Sequence, residues 1–240
     1  QVGDHIGKKV KNTNIASITR HEFGDPDKAF NDAEHVVERT FTLQMVHQGY
    51  IEPHNATAVW DEEDRIKIWT STQGAFPVRT STAAILDMDV SRVKVTPLEI
   101  GGGFGGKIPI YLEPIVATLS KKTGRPVKAI MERSNVFQAS GPAPGGTITV
   151  KMGTDKNGKL IAADTSIKLE AGGFPGAAVG AAVQCIFAPY DIPNTRIDGY
   201  DIVVNKPKSA AYRAPGSPQA AFATETVVNE LAELHGMDRV

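Results

Sequence analysis

The sequence has a single cysteine, no long apolar run and almost no net charge, and each absence excludes a class of protein. Because Cys185 is alone, an internal disulfide or a cysteine-based metal centre is excluded, and a reducing compartment is favoured. No stretch approaches the roughly 20 apolar residues of a membrane helix. Lys and Arg number 26 against 27 Asp and Glu, a balance that argues against a nucleic-acid binder. We therefore expect a cytoplasmic protein that binds neither membranes nor nucleic acid.

What the chain does contain is glycine and proline, 23 and 15 residues respectively, without a fixed period. Its 240 residues leave room for one large core or two modest domains. Residues 1–24 lack apolar periodicity and are interpreted as a linker or arm, and residues 25–240 as the folded domain. Because the chain begins with Gln1 and ends soon after Gly236, we interpret it as a fragment of a longer polypeptide.

Helical and strand-like patterns follow one another without regular alternation, which predicts an α+β fold with mixed sheets rather than a doubly wound one. Asp25 and Pro26 are typical of a helix start, and the pair Asn157-Gly158 of a hairpin turn. Residues 172–193 are interpreted as a loose stretch. Strands are predicted at 57–60, 66–69, 93–95, 127–131, 147–152, 160–169 and 197–204. Helices are predicted from Pro26, with apolar residues at helical spacing through Val37, at 80–86, from Leu112 to near Gly124, and from Ser217 to just before Gly236.

The most informative segment is residues 101–107, Gly-Gly-Gly-Phe-Gly-Gly-Lys, called the glycine loop below. It satisfies the G-x-G-x-x-G spacing, but the nearest acid for a dinucleotide site, Glu132, lies too far along the chain. It also matches G-x-x-x-x-G-K, yet Ile108 stands where a Ser or Thr must bind Mg²⁺. The glycines instead indicate close approach of backbone N–H groups to a ligand with anionic or polar oxygens.

Two other segments have a similar character. Gln73 follows a strand that ends in hydroxyl residues, where the backbone leaves the sheet. Arg213 precedes the start of a helix, a position that favours anionic groups. Each has an alternative that stays open at this point: a solvent-facing loop glutamine and a surface arginine before a capped helix.

Taken together and in order, these segments resemble the molybdopterin-binding subunit or domain of the xanthine dehydrogenase and aldehyde oxidase family of molybdenum hydroxylases, in the N-terminal half of that domain. The resemblance extends from Gly24 to Gln219. It rests on residues 24–25, 52–54, 69–76, 101–107, 123–127, 189–194 and 211–219.

The resemblance implies four cofactor-binding residues. Gln73 corresponds to a glutamine that hydrogen-bonds an oxygen ligand of molybdenum, and Phe104 and Gly105 to positions whose N–H groups meet the metal ligands and the cofactor. Arg213 corresponds to an arginine whose loop contacts the pterin. The cofactor implied is molybdenum–molybdopterin, with its cytosine dinucleotide form as a candidate, and no residue of this chain ligates the metal directly.

Departures from the family pattern bear on the substrate pocket. Xanthine-oxidising members have a glutamate where this chain has Ile108, an arginine near Pro142 and a phenylalanine near Pro215. Members that oxidise carbon monoxide carry a cysteine in the stretch of Ala214 and Pro215. The resemblance therefore implies hydroxylation of an aldehyde or an N-heteroaromatic compound with water, and Ile108 is expected to line a more apolar pocket.

The family's catalytic glutamate lies in a G-x-G-E segment that no acid here matches, and four acids (Glu52, Glu99, Glu113 and Glu225) are interpreted as structural. We expect this chain alone to retain little or no cofactor and no activity. Its implied partners are the rest of the domain, a small-molecule substrate, and domains or subunits that carry iron–sulfur clusters and, as a further candidate, FAD. Two alternatives stay open: a noncatalytic scaffold or interaction domain, and a nucleotide site at Lys107.

Overall fold

A computed structural model describes residues 13–239 and shows two compact units. Unit 1 contains the described residues up to Val46, then Ala143–Ser209 and the chain from Ala214 onward. Unit 2 contains His47–Pro142 and a short later stretch, Ala210–Arg213, called the return segment below. Each unit has its own sheet and its own apolar core.

The described residues form nine strands and six α-helices. The strands are β1 (Ile15–Phe23), β2 (His35–Leu43), β3 (Asn55–Trp60), β4 (Ile66–Thr70), β5 (Val93–Pro97), β6 (Val127–Ile130), β7 (Gly146–Thr154), β8 (Leu160–Gly172) and β9 (Thr195–Val203). The helices are α1 (Pro26–Asn31), α2 (Ala75–Ile85), α3 (Glu113–Thr123), α4 (Arg133–Ala139), α5 (Val179–Cys185) and α6 (Ser217–Leu234). This mixture confirms the predicted α+β class. Among these helices none is long and apolar enough to cross a membrane.

Unit 1 is built on a five-stranded sheet in the order β1-β9-β8-β7-β2, in which only the β8–β9 pair is parallel. Alternate residues of β7 and β8, such as Ile148 and Ile167, are fully buried. Helix α6 covers them with Ala220, Val227 and Leu231, which recur at helical spacing and form one apolar face. The pairing of β7 with β8 confirms the predicted hairpin at residues 155–158.

Unit 2 carries the glycine loop and is built on a four-stranded sheet in the order β5-β4-β3-β6. Strands β4 and β5 are parallel and are connected through α2, whereas β3 is antiparallel to both of its neighbours. Helix α3 packs Val116 and Ala117 on Ala58 and Ile68 of the sheet. The glycine loop lies between the end of β5 and the start of α3.

Some sequence predictions were wrong. Residues 15–23 are not an arm: they form β1, an edge strand on β9 in which Ile18 alone is buried, so it has no alternating apolar pattern to detect. Residues 1–12 lie outside the described part of the chain. Helix α1 ends at Asn31, sooner than the apolar spacing through Val37 suggested, because Val37 belongs to β2. Helix α5 lies inside the stretch interpreted as loose, and α4 was not predicted.

Candidate functional site

The glycine loop takes a backbone path that few side chains tolerate. Gly102, Phe104 and Gly105 have φ values of 90°, 51° and 102°. The N–H of Gly106 donates to the carbonyl of Gly103 at 2.8 Å, which closes a tight turn inside the loop. Phe104 is the one residue other than glycine in this turn with positive φ, and its ring is 47% exposed.

Gln73 holds this loop from the end of β4. Its side-chain oxygen accepts hydrogen bonds from the N–H groups of Gly105 at 2.8 Å and Lys107 at 3.2 Å. Its own backbone N–H donates to the Lys107 carbonyl at 3.0 Å, and the Thr72 hydroxyl donates to the same carbonyl. Because the amide oxygen is engaged, the Gln73 NH₂ group is fixed in place. Gln73 is exposed, and that NH₂ group has no partner among residues 13–239.

At two of its glycines, Gly103 and Gly105, the loop passes its neighbours too closely to carry a side chain. A Cβ atom on Gly103 would lie 2.5 Å from the Gln73 side-chain oxygen. A Cβ atom on Gly105 would lie 2.6 Å from the carbonyl oxygen of Ala211 in the return segment. Glycine is therefore needed here for close approach, as the sequence indicated.

The return segment is hydrogen-bonded to this loop. The N–H of Arg213 donates to the carbonyl of Phe104 at 2.8 Å, and the Gln48 amide donates to the carbonyl of Ala211 at 2.7 Å. The four residues interpreted as cofactor-binding, Gln73, Phe104, Gly105 and Arg213, therefore lie together in unit 2. The Arg213 side chain is exposed.

The loop also presents unpaired backbone donors. The N–H groups of Gly102, Gly103 and Phe104 have no hydrogen-bond partner within the described residues, whereas that of Gly105 donates to Gln73. Successive free N–H groups in a turn of this kind form a concave site for anionic or polar oxygens. A group rich in oxygen atoms fits this set of N–H donors.

An ion pair that the sequence analysis missed lies beneath the loop. The Lys107 side chain is fully buried, and its ammonium lies 2.7 Å from both the Glu52 carboxylate and the Ser71 hydroxyl. The same Glu52 oxygen accepts from the Ser71 hydroxyl at 2.8 Å and from the Gly101 N–H at 2.7 Å. Burial raises the pKa of Glu52, but these hydrogen bonds outweigh it and hold the pKa at about 2. The only signal in the sequence was a lysine within a glycine-rich turn.

This ion pair bears on the nucleotide alternative. In a phosphate-binding loop the lysine must reach the phosphates and the helix must follow directly. Here the Lys107 ammonium is buried and paired, and α3 begins only at Glu113. The described residues of the glycine loop are thus not arranged as a nucleotide triphosphate site.

A second polar network is buried beside the loop. The Tyr50 hydroxyl lies 2.6 Å from Nε2 of His54 and 3.1 Å from the Ser140 hydroxyl, which in turn lies 2.8 Å from Nε2 of His47. Burial and the charge of Lys107 lower the pKa of His54 to about 4, and burial raises the pKa of Tyr50. At neutral pH, His54 is therefore an uncharged hydrogen-bonding group.

This pKa predicts a pH dependence of stability. Since the pKa of His54 falls from 6.5 when exposed to about 4 when folded, the unfolded chain takes up a proton first as the pH drops. We expect the free energy of unfolding to decrease between pH 6.5 and pH 4, by about 3 kcal/mol. Urea unfolding at pH 7.5 and pH 4.5 measures it.

The control for this experiment compares two histidines. His54→Gln should lose most of the pH-dependent decrease, because glutamine does not titrate. His21→Gln, at an exposed position of β1, should behave as the wild type. Equal pH dependence in all three proteins would contradict the assignment to His54.

The three residues interpreted as lining a substrate pocket are not all in one unit. Ile108 follows the glycine loop and is 44% exposed, and Pro142 is half-buried with its carbonyl bonded to the N–H of Ala210. Both belong to unit 2, whereas Pro215 belongs to unit 1, just before α6. Within the described residues, no cluster of three or more His, Cys, Asp or Glu is placed to hold a metal ion.

The chain matches a known protein family along nearly its whole length. Residues 6–240 match the model of the molybdopterin cofactor-binding domain, so the chain belongs to that family, which confirms the resemblance to xanthine dehydrogenase and aldehyde oxidase.

Three relatives illustrate the similarity. The large molybdopterin subunit of nicotinate dehydrogenase from Eubacterium barkeri is 32% identical over 232 residues, which are 95% of this chain and 54% of that protein. The molybdenum-binding subunit of aldehyde oxidoreductase from Escherichia coli (strain K12) is 32% identical over 90% of this chain and 29% of that subunit. The crystal structure of the aldehyde oxidoreductase from Desulfovibrio desulfuricans superposes with a TM-score of 0.88 at 26% identity, over 94% of this chain and 26% of that one. The chain thus spans about half of the first relative and under a third of the other two.

Proposed function

We propose that this chain is the first half of the molybdopterin-binding domain of a molybdenum hydroxylase. In this proposal Gln73, Phe104, Gly105 and Arg213 bind the cofactor. The alternative, a noncatalytic scaffold, gives no role to the unpaired N–H groups of the glycine loop or to the free NH₂ group of Gln73.

The observation that carries the proposal is the set of fixed donors around the glycine loop. The Gln73 NH₂ group is held by its own anchored oxygen, and the N–H groups of Gly102, Gly103 and Phe104 follow in sequence. Donors fixed before a ligand binds stabilise oxygen atoms that gain negative charge, because no reorganisation is needed. Gly105 contributes by its close approach to Ala211 and by its bond to Gln73.

When bound, molybdopterin would supply a molybdenum centre that takes two electrons from the substrate, while water provides the oxygen of the new hydroxyl group. The residues of this chain would bind and orient that cofactor: the free NH₂ group of Gln73 would donate to one of its oxygen atoms, and the return segment carries Arg213 alongside the loop. Other parts or subunits of the enzyme would provide the proton-accepting glutamate, the rest of the cofactor site, the iron–sulfur clusters and, as a candidate, FAD. The same proposal places the enzyme in the cytoplasm.

For the substrate, we propose an aldehyde or an N-heteroaromatic compound. Support comes from relatives named for nicotinate and for aldehydes, and from the exposed apolar side chain of Ile108 next to the loop. A pocket lined by Ile108 lacks the glutamate carboxylate that xanthine-oxidising members of the family have at this position. Xanthine turnover by the intact enzyme at a rate matching that of aldehydes would contradict this.

The Gln73→Glu substitution tests the binding role. Glutamate keeps an oxygen to accept from Gly105 and Lys107, so the loop stays anchored, but it replaces the free NH₂ donor with a second acceptor. We expect the affinity for molybdopterin to fall at least about tenfold, the value of one hydrogen bond to a charged group. Molybdenum and pterin content of the purified full-length enzyme measures this.

The matched control is Gln138→Glu, at an exposed glutamine of α4 in the same unit. It should leave cofactor content unchanged. Gln73→Ala should lower the content further, because it also leaves two N–H groups of the loop unpaired. Full cofactor content in both Gln73 variants would favour the scaffold.

A further inference from the structure

One carboxylate joins the two ends of the glycine loop. At the start of the loop, Glu52 accepts from the Gly101 N–H through its side chain and donates its own N–H to the Gly101 carbonyl at 3.1 Å. At the end of the loop, the same side chain binds the Lys107 ammonium, 55 residues away in sequence. Its second oxygen accepts from the Asn55 amide at 2.9 Å, which fixes the carboxylate at the start of β3.

The contacts leave Glu52 little freedom. Its side chain is 28% exposed and that of Lys107 is fully buried, so their charges interact with weak screening by water. Ser71 bridges the two, accepting from Lys107 and donating to Glu52. A Cβ atom on Gly101 would lie 2.7 Å from the Glu52 Cβ, so the loop start passes directly over this side chain.

We propose that Glu52 and Lys107 are positioning residues that hold the glycine loop in its ligand-binding conformation before the cofactor enters. The inference rests on the proposed cofactor role of the loop and extends it. Neither residue needs to touch the cofactor: Glu52 and Lys107 act through Gly101, Gly102 and Gly103, whose path their ion pair fixes. A preformed loop binds without paying for ordering at the moment of association.

The test is amide hydrogen exchange of the full-length protein prepared without cofactor. The main variant is Glu52→Met/Lys107→Met, which removes both charges together, so no unpaired ammonium remains in the interior. We expect the hydrogen-bonded loop amides of Gly105, Gly106 and Lys107 to exchange at least about tenfold faster, while the amides of β3 and β4 keep their protection. A merely structural role would raise exchange in the strands as well.

The second readout is the amount of molybdopterin retained by the same variants. We expect the double variant to bind at least about tenfold more weakly, in line with its loosened loop. Ser71→Ala removes only the bridging hydroxyl, so it should weaken molybdopterin binding and speed loop exchange to a smaller extent. It replaces the double variant in both measurements if that variant does not fold.

The control is Glu113→Gln, at a buried carboxyl elsewhere in unit 2. Glu113 accepts from the Thr70 hydroxyl at 2.7 Å and from the Tyr111 N–H, and makes no hydrogen bond to residues 101–107. It should leave loop exchange and cofactor content as in the wild type.

The outcomes separate this inference from the proposed function. Unchanged loop exchange in the double variant and in Ser71→Ala overturns the inference, as does faster exchange with full cofactor retention. If Gln73→Glu lowers cofactor content in those cases, the binding role of the loop stands. If Gln73→Glu also has no effect, the proposed function itself fails.

Discussion

The Gly105→Val substitution is expected to abolish cofactor binding and to destabilise the loop by at least about 3 kcal/mol. Gly105 has a φ of 102°, a conformation that a β-branched residue adopts only under strain. Its Cβ would lie 2.6 Å from a backbone oxygen of Ala211, which cannot turn away as a side chain would. The loop and the return segment must therefore separate. Pterin content and amide exchange of the full-length protein measure both effects.

Gly124→Ala is the matched control. Gly124 ends α3 in the same unit with a φ of 63°, but no atom lies within 4 Å of its missing Cβ. The substitution should cost about 1 kcal/mol, the conformational penalty alone, and leave cofactor content intact. A loss of cofactor in Gly124→Ala as large as in Gly105→Val would show that general destabilisation explains both results.

The second large effect is expected for Lys107→Met. This variant leaves the Glu52 carboxylate without its cation, and breaking a buried ion pair on one side typically costs about 3–5 kcal/mol. Since the carboxylate left behind is 28% exposed and keeps other hydrogen-bond donors, we expect a cost at the lower end of this range, about 3 kcal/mol, measured as the change in the free energy of unfolding at pH 7. Lowering the pH should narrow the gap to the wild type, because without the ammonium the pKa of Glu52 rises and the carboxyl becomes neutral.

An exposed lysine provides the comparison. Lys121 of α3 is 58% exposed, lies over the ring of Trp60 and pairs with Asp64 at 3.6 Å. Lys121→Met should cost under about 1 kcal/mol, since water screens such a pair.

The Glu52→Met/Lys107→Met variant should recover part of the stability lost in Lys107→Met. A double variant less stable than the single one would argue against an ion pair at this position.

The elements predicted correctly are those with local signals. Asp25 accepts a hydrogen bond from the Lys28 N–H and Pro26 begins α1, as their order indicated. Gly158 takes a φ of 80° in the β7–β8 turn, and Gly124 ends α3. In each case one or two neighbouring residues determine the backbone, so the sequence alone is sufficient.

What the sequence did not reveal depends on distant pairing. Strand β1 is defined by its hydrogen bonds to β9 and has a single buried residue, so no pattern marks it. Glu52 was interpreted as structural and a nucleotide site at Lys107 was only an alternative; the ion pair between the two was not predicted, because it joins residues far apart in the chain. Gln73 was placed at a strand end, but its bond to Gly105 requires the folded loop. The sequence indicated which residues carry the chemistry, but not which distant residues they hydrogen-bond or pair with in the fold.

The return segment has a consequence for the order in which the site is made during synthesis. Unit 2 is largely complete once residue 142 has left the ribosome, yet Ala211 and Arg213, which bond Gln48 and Phe104, follow only after residues 143–209. Chain growth therefore delays the last contacts of the glycine loop until most of unit 1 has also been synthesised. The contacts that complete the glycine loop are therefore available only late in translation, after residues 143–209 have been added to the chain.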